Sequence, residues 1–463
     1  MTMEFASLRG LRRKVYQRMS ERGTVRIIGG GMTGLTLALR LARRGIPVVV
    51  HERDPYLGGL ASESTLNGIP VERFYHCILP TDYSLIKLLG ELGLADEIGW
   101  NKTRTGFFTD SRLMEMTTSA DFLRFPALTL LDRLRLGWTI AYCSMNRSWK
   151  RLDRESVGPF LIRHGGRRLF ESIWEPLLLA KLGPEYNRFA ASFIWATVVR
   201  MLSARSAKGR SEKLGFVQGR YGKVFGALRK AIEAAGGEVR VGQVVTGLDR
   251  TGNGHRSRWV VQCNDESLPA TGVVLCVPAP FAVQWLNEMN LAFEGSLREV
   301  DYLGVVCEAL LLKRSLTPYY VLNLTDRSLP FTGVIETSNL AGTEEFGGFH
   351  LVYLPRYRDQ QSPIWKRTDE SIHQESLEGV KAIMPDFREQ DVTAWAVHRA
   401  RYVQPVHPVG WGDRIPPVRL APGLAYLSTA QIHPWPVFND EAIRNVDARV
   451  DEVIEVLKPG NNG

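Results

Sequence analysis

The feature that most constrains the fold of this chain is the glycine-rich stretch IIGGGMTG at residues 27–34. It follows an apolar run, VRIIG, and opens a segment with apolar residues at helical spacing, MTGLTLALRLARRG. A second apolar run, IPVVVHE, comes next, and Gly45 followed by Pro47 marks the end of the helix. Near-continuous apolar strands on either side of one helix are typical of a parallel sheet that is buried on both faces. The pattern predicts a Rossmann-like α/β fold.

The spacing of the glycines and of one acidic residue predicts that this unit binds a dinucleotide. The first glycine permits a tight strand-to-helix turn, the second lets the backbone approach a pyrophosphate, and the third allows close packing of helix on sheet. The start of the helix adds free N–H groups. The residues predicted to hold the diphosphate are Gly29, Gly31, Met32, Thr33 and Gly34. Glu52 ends the second strand 18 positions after the last of them (52 − 34 = 18), and we expect it to bind the adenosine ribose and to disfavour NADP.

The rest of the chain reads as one α/β domain that is interrupted by two insertions. Strand and helix patterns return at residues 215–285 and 406–463, whereas residues 106–214 are helical in pattern and residues 286–405 are rich in strands and then helical. We therefore predict a discontinuous dinucleotide-binding domain and an inserted substrate domain. The first comprises residues 24–105, 215–285 and 406–463, and the second residues 106–214 and 286–405.

A second glycine pair follows Glu52 closely, in the stretch RDPYLGGLASES. A dinucleotide turn, an acid-ended strand and then a Gly-Gly pair together resemble the flavin-containing amine oxidoreductase superfamily. That superfamily includes amine oxidases, protoporphyrinogen oxidases, carotenoid and squalene desaturases, and UDP-galactopyranose mutase. The resemblance implies non-covalently bound FAD, a cofactor domain of the GR2 type and an inserted α+β substrate domain. It also implies that the stretch runs beside the pyrophosphate and ribityl chain, with contacts from Arg53, Gly58, Gly59, Leu60 and Ala61.

Two later segments extend the resemblance. NGIPVERFYHCILP is similar to the family segment that passes the flavin ring, which implies that Phe74, Tyr75 and His76 lie near the ring. QGRYGKVFGALRKAIEAAGGEVRVGQVVTGL resembles the second dinucleotide-contacting stretch, in which the main chain of a valine, here Val245, meets the adenine.

The C-terminal segment both matches the family and departs from it. Many members have a Gly-Asp pair after the last strand, where this chain reads YLSTAQIHPW. Downstream we expect a helix that begins near Glu441 and is capped by Asn439 or Asp440. By the resemblance its amino end, at Ala442, points at the flavin ring and stabilises negative charge on the reduced flavin.

The substrate side of the site is defined less sharply. His76 and Trp435 are the candidate catalytic residues beside the ring, and a histidine can move a proton near neutral pH, although simple packing is the alternative for both. Arg200 and Arg356 are candidates for meeting an anionic substrate, but an exposed surface position is the favoured interpretation. Three tyrosines are expected either to line the substrate chamber or to form sheet core: Tyr319, Tyr320 and Tyr353.

The resemblance implies an FAD-dependent oxidoreductase that removes a hydride from a C–N or C–C bond of an unidentified small molecule, either lipophilic or anionic. The alternative is a non-redox flavoenzyme, similar to UDP-galactopyranose mutase, that acts on a nucleotide-sugar. A third hypothesis is a membrane-associated flavoprotein without turnover, which the basic N-terminus and the apolar stretch LTLLDRLRLGWTIAYC suggest. Family resemblance is a better guide to the cofactor than to the substrate.

Charge and cysteine usage narrow the partners and the location. The formal net charge is +9, and residues 1–26 hold seven Arg or Lys against two acids. We interpret residues 1–23 as a basic leader that packs on the surface or, alternatively, lies on anionic lipid. No nucleic-acid-binding module is recognisable, and five scattered cysteines predict neither a metal site nor disulfides. We expect a cytoplasmic protein, with peripheral contact at the inner face of the membrane as an extension, and the oligomeric state stays open.

Overall fold

A computed structural model describes residues 23–118, 121, 128–146, 148–203, 213–251, 258–293 and 295–458. The basic leader predicted at residues 1–23 therefore lies outside the described residues, apart from Gly23. Along the described residues the strands are β1 (Val25–Ile28), β2 (Val48–His51), β3 (Glu63–Leu66), β4 (Ile69–Glu72), β5 (Ile98–Lys102), β6 (Thr105–Thr109), β7 (Arg112–Glu115), β8 (Lys213–Val217), β9 (Glu238–Arg240), β10 (Val245–Thr251), β11 (Arg258–Cys263), β12 (Glu266–Ala270), β13 (Gly272–Leu275), β14 (Tyr302–Leu312), β15 (Val321–Leu324), β16 (Gly333–Glu336), β17 (His350–Arg358), β18 (Val392–Pro405), β19 (Arg419–Ala421) and β20 (Leu424–Tyr426).

The helices along the same residues are α1 (Met32–Ala42), α2 (Tyr83–Glu91), α3 (Leu130–Met145), α4 (Trp149–Leu152), α5 (Val157–Gly165), α6 (Arg167–Leu169), α7 (Glu175–Leu182), α8 (Ala191–Ser203), α9 (Arg220–Ala234), α10 (Ala279–Glu288), α11 (Ser338–Ala341), α12 (Asp369–Ile383) and α13 (Asn439–Leu457). A π-helical turn, Phe170–Trp174, joins α6 to α7.

The first large sheet has the strand order β19-β20-β13-β1-β2-β9. All neighbouring pairs from β20 to β9 are parallel, and β19 is antiparallel to β20. The chain moves from β1 to β2 and β9 on one side and then places β13 and β20 on the other, so the strand order reverses between β1 and β13. Open α/β sheets bind ligands at such a reversal, outside the carboxyl ends of the strands. The predicted Rossmann-like α/β class is confirmed.

Both faces of this sheet are covered, which explains the unbroken apolar runs of its strands. Every residue of β1, β2 and β13 is buried. Helices α1, α9 and α13 pack on the face that carries Ile27 and Val50. The opposite face, with Ile28 and Val273, packs against α10 and against the three-stranded antiparallel sheet of β10, β11 and β12.

A second large sheet has the order β18-β14-β17-β16-β15-β6-β7. Its pairs are antiparallel except for β15 and β6. Helix α12 packs on one face, and the other face packs against the segment that contains Phe74 and Tyr75.

The region 106–214, predicted to be helical, thus begins with strands of this sheet and becomes helical from α3 onward. Its helices share a core around Phe160 and Phe193. The domain boundaries themselves stay a prediction.

Candidate functional site

Two positions at the turn after β1 must be glycine, because a side chain at either would collide with neighbouring backbone. Gly29 has a φ of +113°, and a Cβ at this position would lie 2.5 Å from the carbonyl oxygen of Cys276 at the end of β13. A Cβ at Gly34, in the first turn of α1, would lie 1.9 Å from the carbonyl oxygen of Gly29. Neither position has room for any side chain, so β1, β13 and α1 are held together at the point where the strand order reverses.

The middle glycine of the turn lies against the second glycine pair instead. A Cβ at Gly31 would come no closer to a described neighbouring residue than 4.0 Å, to the Cα of Gly59. A Cβ at Gly59 would lie 3.5 Å from the Cα of Gly31. The amide of Gly58 donates to the carbonyl oxygen of Gly30 at 2.9 Å and ties the two glycine segments together. The two glycine segments therefore meet backbone to backbone with no side chain between them, and a Cβ at Gly31 would make only an ordinary van der Waals contact with Gly59.

Glu52 supports the turn that carries these glycines. Its carboxylate accepts hydrogen bonds from the backbone N–H of Gly30 at 2.7 Å and from that of Asp54 at 3.0 Å. The side chain is buried, and burial raises the pKa of Glu52, while the bonds from Asp54 and Gly30 act in the opposite direction. A carboxylate has room for about four hydrogen bonds, so the two backbone donors leave acceptor capacity for ligand hydroxyl groups.

The amino ends of α1 and α13 lie at the same end of the first sheet. Arg40 pairs with Asp447 at 2.7 Å, and Arg44 pairs with Asp451 at 3.2 Å. Both pairs are separated by 407 residues (447 − 40 and 451 − 44), so successive turns of the two helices pair in the same direction and the helices run parallel. Two helix amino ends at one place concentrate unpaired N–H groups and partial positive charge, which favour an anionic ligand.

Neither of these helices is capped by a side chain. The cap predicted for α13 from Asn439 or Asp440 is therefore wrong: the helix begins at Asn439, after Phe438. The carboxylate of Asp440 instead accepts a hydrogen bond of 2.9 Å from the N–H of Leu85 in α2. The N–H of Ala442 already donates to the carbonyl oxygen of Phe438, so the amides that precede it are the ones without an intrahelical acceptor.

A buried acid and a histidine lie near the strand that leads away from the glycine pair. The carboxylate of Glu72 accepts a hydrogen bond of 3.3 Å from the N–H of Tyr221, and burial raises the pKa of Glu72 to about 8. The ring of His76 lies 5.3 Å from that of Tyr221, and burial lowers the pKa of His76 to about 4. Both side chains line one cavity, together with those of Arg220 and Thr337. Burial thus favours the protonated carboxyl group of Glu72 and the neutral imidazole of His76 in the wall of this cavity.

A sequence profile described as flavin containing amine oxidoreductase matches residues 32–433, which is most of the chain. The chain belongs to this family. The resemblance drawn from the glycine motifs is thereby confirmed, and the family implies a flavin cofactor in an oxidoreductase.

Two solved structures have the same fold as this family member. A putative protoporphyrinogen oxidase from Exiguobacterium sp. 255-15 has a TM-score of 0.71 and 17% identity, and the match covers 94% of this chain and 99% of that one. An oxidoreductase from Methanosarcina mazei has a TM-score of 0.72 and 18% identity, with coverage of 92% and 100%. At such identities the likeness is one of fold alone.

A curated relative matches over a shorter stretch. Hydroxysqualene dehydroxylase from Rhodopseudomonas palustris is 26% identical over 185 residues, which is 38% of this chain and 39% of that protein. The chain thus spans about two fifths of the length of this relative.

The remaining flavin contacts implied by the resemblance have defined places in the fold. Leu60 and the buried Ala61 belong to a short 3₁₀ turn that follows Gly58. Arg53 is exposed, with its guanidinium 5.7 Å from the ring of Phe281. Val245 opens β10 opposite Cys263. Their contacts with a flavin stay predictions.

The two candidates beside the flavin ring do not lie in one cluster. Trp435 is half-buried between helices: its ring is 5.8 Å from that of Trp195 in α8 and 5.1 Å from the guanidinium of Arg444 in α13. His76 packs on Tyr221, at the start of α9. The structure thus gives Trp435 a packing role between α8 and α13, and its catalytic role stays a prediction.

The surface positions favoured for Arg200 and Arg356 are wrong. Arg200 is buried and pairs with Glu441 at 2.7 Å and with Asp82 at 2.8 Å. Arg356 is fully buried and donates to the hydroxyl of Ser376 at 2.6 Å. Both guanidinium groups are bonded within the protein, because Arg200 faces the amino end of α13 and Arg356 lies in the middle of the second sheet under α12.

Sequence reasoning missed Glu72 and Tyr221. Both lie in segments that were read for other purposes, VERFYH for the flavin ring and QGRYGKVFG for the adenine. The pairing of Glu72 with Tyr221 joins positions 149 residues apart, and no local pattern signals a contact at that distance.

Proposed function

We propose that this chain is an oxidoreductase with non-covalently bound FAD, and that it oxidises a C–N or C–C bond of a lipophilic substrate by removing a hydride from a C–H bond of one of the carbons. The observation that carries the proposal is the side-chain-free backbone around Gly31 and Gly59, beside a buried carboxylate and at the end of the sheet where two parallel helices have their amino ends. These are the features that a dinucleotide diphosphate and its ribose require.

The residues present fit FAD at this site. Gly31 and Gly59 would give the pyrophosphate access to backbone N–H groups, and Glu52 would accept from the adenosine ribose. The amino end of α13 would stabilise negative charge on the reduced ring. FAD, when bound, supplies the hydride acceptor. The five cysteines all precede residue 308, so the C-terminal segment has no thiolate for covalent attachment.

The second sheet supports a lipophilic substrate. The face that packs against Phe74 and Tyr75 is apolar along β14 and β17, and Tyr320 and Tyr353 belong to it, whereas Tyr319 lies on the opposite face. The hydroxyl of Tyr75 is hydrogen bonded to that of Tyr357 at 2.9 Å, and the hydroxyl of Tyr353 donates to the carbonyl oxygen of Glu72 at 2.5 Å. These polar tips already have partners, so they present rings rather than hydroxyls.

Two further observations point the same way. Arg200 and Arg356, the candidates for an anionic substrate, are bonded within the protein, which counts against a nucleotide-sugar. The partial relative is a dehydroxylase whose name specifies hydroxysqualene, a polyisoprenoid alcohol. We therefore favour a polyisoprenoid or similarly apolar substrate over an amine with a second charged group.

Glu72 and His76 are the groups that we assign to proton handling. The protonated carboxyl and the neutral imidazole line one cavity, so one is able to donate and the other to accept a proton. A hydride abstraction that leaves a cation is completed by loss of a proton, and His76 is the acceptor that the cavity offers.

The test begins with the purified chain. We expect a flavin absorption spectrum, release of intact FAD on acid denaturation, and bleaching of the flavin under anaerobic conditions by an apolar hydride donor from a panel of polyisoprenoids, porphyrinogens and amines. Gly31→Ala serves as the flavin-deficient control. Failure of the protein to take up FAD would contradict the proposed cofactor. Isomerisation of a nucleotide-sugar by the reduced protein, without net oxidation, would contradict the proposed reaction.

A further inference from the structure

One helix has an unusual number of exposed apolar side chains. Among the described residues, eleven large apolar side chains are exposed, and five of them lie on α3. We call these five the exposed stripe: Leu130 (71% exposed), Leu131 (54%), Leu134 (64%), Trp138 (55%) and Met145 (66%). The spacing of four, four and seven residues between the first, third, fourth and fifth of them keeps these four on one side of the helix. The other side carries the buried Leu136 and Cys143, which pack into the protein.

The exposed stripe is bordered by arginines. Arg135 is exposed on the same helix, and the side chains of Arg167 and Arg168 in the short helix α6 are 74% and 67% exposed. Arg168 lies 3.4 Å from Asp132 of α3, and the guanidinium of Arg135 lies against Gly166. The three cations therefore lie beside the helix rather than elsewhere on the molecule.

Acidic groups near the stripe are few and have partners. Asp132 is buried and accepts hydrogen bonds from Thr129 in a capping box, and Glu171 pairs with Arg167 at 3.6 Å. Residues 128–168 contain nine Arg or Lys and three Asp or Glu, a surplus of six positive charges (9 − 3). An apolar surface with a positive border is complementary to a surface with an apolar interior and a negative border.

We propose that the exposed stripe of α3 docks the protein on an anionic lipid bilayer. The helix lies parallel to the surface, with the apolar side chains at the boundary between headgroups and acyl chains. Arg135, Arg167 and Arg168 then meet lipid phosphates, and Trp138 occupies the interfacial level that tryptophan prefers. No helix among the described residues is both long and apolar enough to cross a bilayer, which fits contact with a single leaflet.

The positive charge beside the exposed stripe favours an anionic lipid bilayer, rather than a second copy of the chain, as its partner. A two-fold interface built on this helix would bring the same patch together from both subunits, so Arg135, Arg167 and Arg168 of each copy would face their equivalents. Like charges at an interface oppose association, whereas anionic headgroups attract basic residues. The proposal does not rest on the proposed reaction, and it adds a route by which an apolar substrate reaches the enzyme.

Vesicle flotation with the full-length holoprotein tests the proposal. The vesicles are phosphatidylcholine alone or phosphatidylcholine with one quarter phosphatidylglycerol. The test variant is Leu134→Glu with Trp138→Glu, and the matched control is Val409→Glu, an exposed apolar position outside α3. A second variant, Arg135→Gln with Arg167→Gln, tests whether the arginines beside the stripe contribute to binding. Flavin absorbance and thermal melting check that each variant is folded.

We expect the protein to float with the anionic vesicles, with binding weakened by salt. The stripe variant should lose about tenfold or more in partitioning, the arginine variant should lose mainly the anionic preference, and Val409→Glu should float like the original. Brominated phosphatidylcholine should quench tryptophan fluorescence, and Trp138→Phe should remove that quenching.

Three results would overturn the proposal. The protein could stay in solution with both vesicle types. The stripe variant could float unchanged while Arg12→Gln with Arg13→Gln and Lys14→Gln abolishes flotation, which assigns the contact to the N-terminal segment. Size-exclusion chromatography with light scattering could show a dimer that the stripe variant dissociates, which assigns the stripe to a second copy.

Discussion

The carboxylate of Glu52 accepts a 2.7 Å hydrogen bond from the backbone N–H of Gly30, in the middle of the turn that lines the proposed diphosphate site. This bond links the acid at the end of β2 to the glycine turn after β1, so the ribose and diphosphate contacts share one support. The ribose contact therefore depends on the position of the glycine turn, and the diphosphate contacts depend on the position of Glu52.

Replacement of Glu52 by Gln should weaken FAD binding by about tenfold or more. The amide would have a donor facing the N–H of Gly30, and loss of a hydrogen bond to a charged group costs about 1.5–3 kcal/mol, where 1.4 kcal/mol corresponds to tenfold in affinity. Titration of the apoprotein with FAD, followed by flavin fluorescence, measures the effect. Glu238→Gln, on the neighbouring strand and paired with Arg240, is the control and should bind normally. Equal affinities for both variants would remove Glu52 from the site.

Alanine at two glycines of this motif should affect different properties: at Gly31 the affinity for FAD, and at Gly34 the stability of the fold. Gly31 has φ and ψ of −81° and −177°, which alanine adopts without strain, and its Cβ would lie on the glycine backbone that we assign to the diphosphate. Gly31→Ala should therefore fold with a melting temperature near that of the apoprotein and lose about a hundredfold in FAD affinity, or roughly 3 kcal/mol. Gly34→Ala would place a Cβ 1.9 Å from a backbone oxygen, so it should fail to fold or melt much earlier. Thermal melting and FAD titration separate the two, and normal FAD binding by Gly31→Ala would contradict the proposed diphosphate position.

The parts of this fold that the sequence predicts well are those in which the signal is local. The unit β1–α1–β2 was predicted from apolar runs, three glycines and Glu52, all within about thirty residues, and it is present. The parallel packing of α13 on α1 joins residues 407 positions apart, and no periodicity encodes it. Arg356 was misjudged for the same reason, because its burial comes from α12 and from neighbouring strands of the second sheet. The predicted cap of α13 was wrong because the carboxylate of Asp440 accepts a hydrogen bond from the distant N–H of Leu85 instead.

Arg200 should be essential for stability because it separates two buried acids. Burial raises the pKa of Glu441 to about 7 and that of Asp82 to about 6, and Arg200 opposes both shifts. Arg200→Met should lower the free energy of unfolding by about 3–5 kcal/mol at pH 8, where the two carboxylates are left without their cation. The loss should be smaller at pH 5, because protonation of both acids removes the repulsion.

Chemical denaturation at the two pH values measures this difference. Arg444→Met is the matched control: Arg444 lies 3.9 Å from Glu441 but is 45% exposed, so its loss should cost about 1 kcal/mol or less. A stability of Arg200→Met equal to that of the unmodified protein at pH 8 would show that the buried pairs contribute nothing.

Glu72 should make stability fall as the pH rises. Burial raises its pKa from 4.5 to about 8 in the folded chain, so the folded state holds the proton more tightly than the unfolded state does. The resulting stability is fully present below about pH 4.5 and is lost as the pH rises through about 8. At about 1.4 kcal/mol per unit of pKa, the change across this window amounts to several kcal/mol. Glu72→Gln cannot titrate and should lack this loss, so the melting temperatures of the two proteins should diverge progressively from about pH 5 to about pH 8. Parallel curves across the whole range would mean that Glu72 titrates normally, and would remove the protonated carboxyl group from the cavity that it shares with His76.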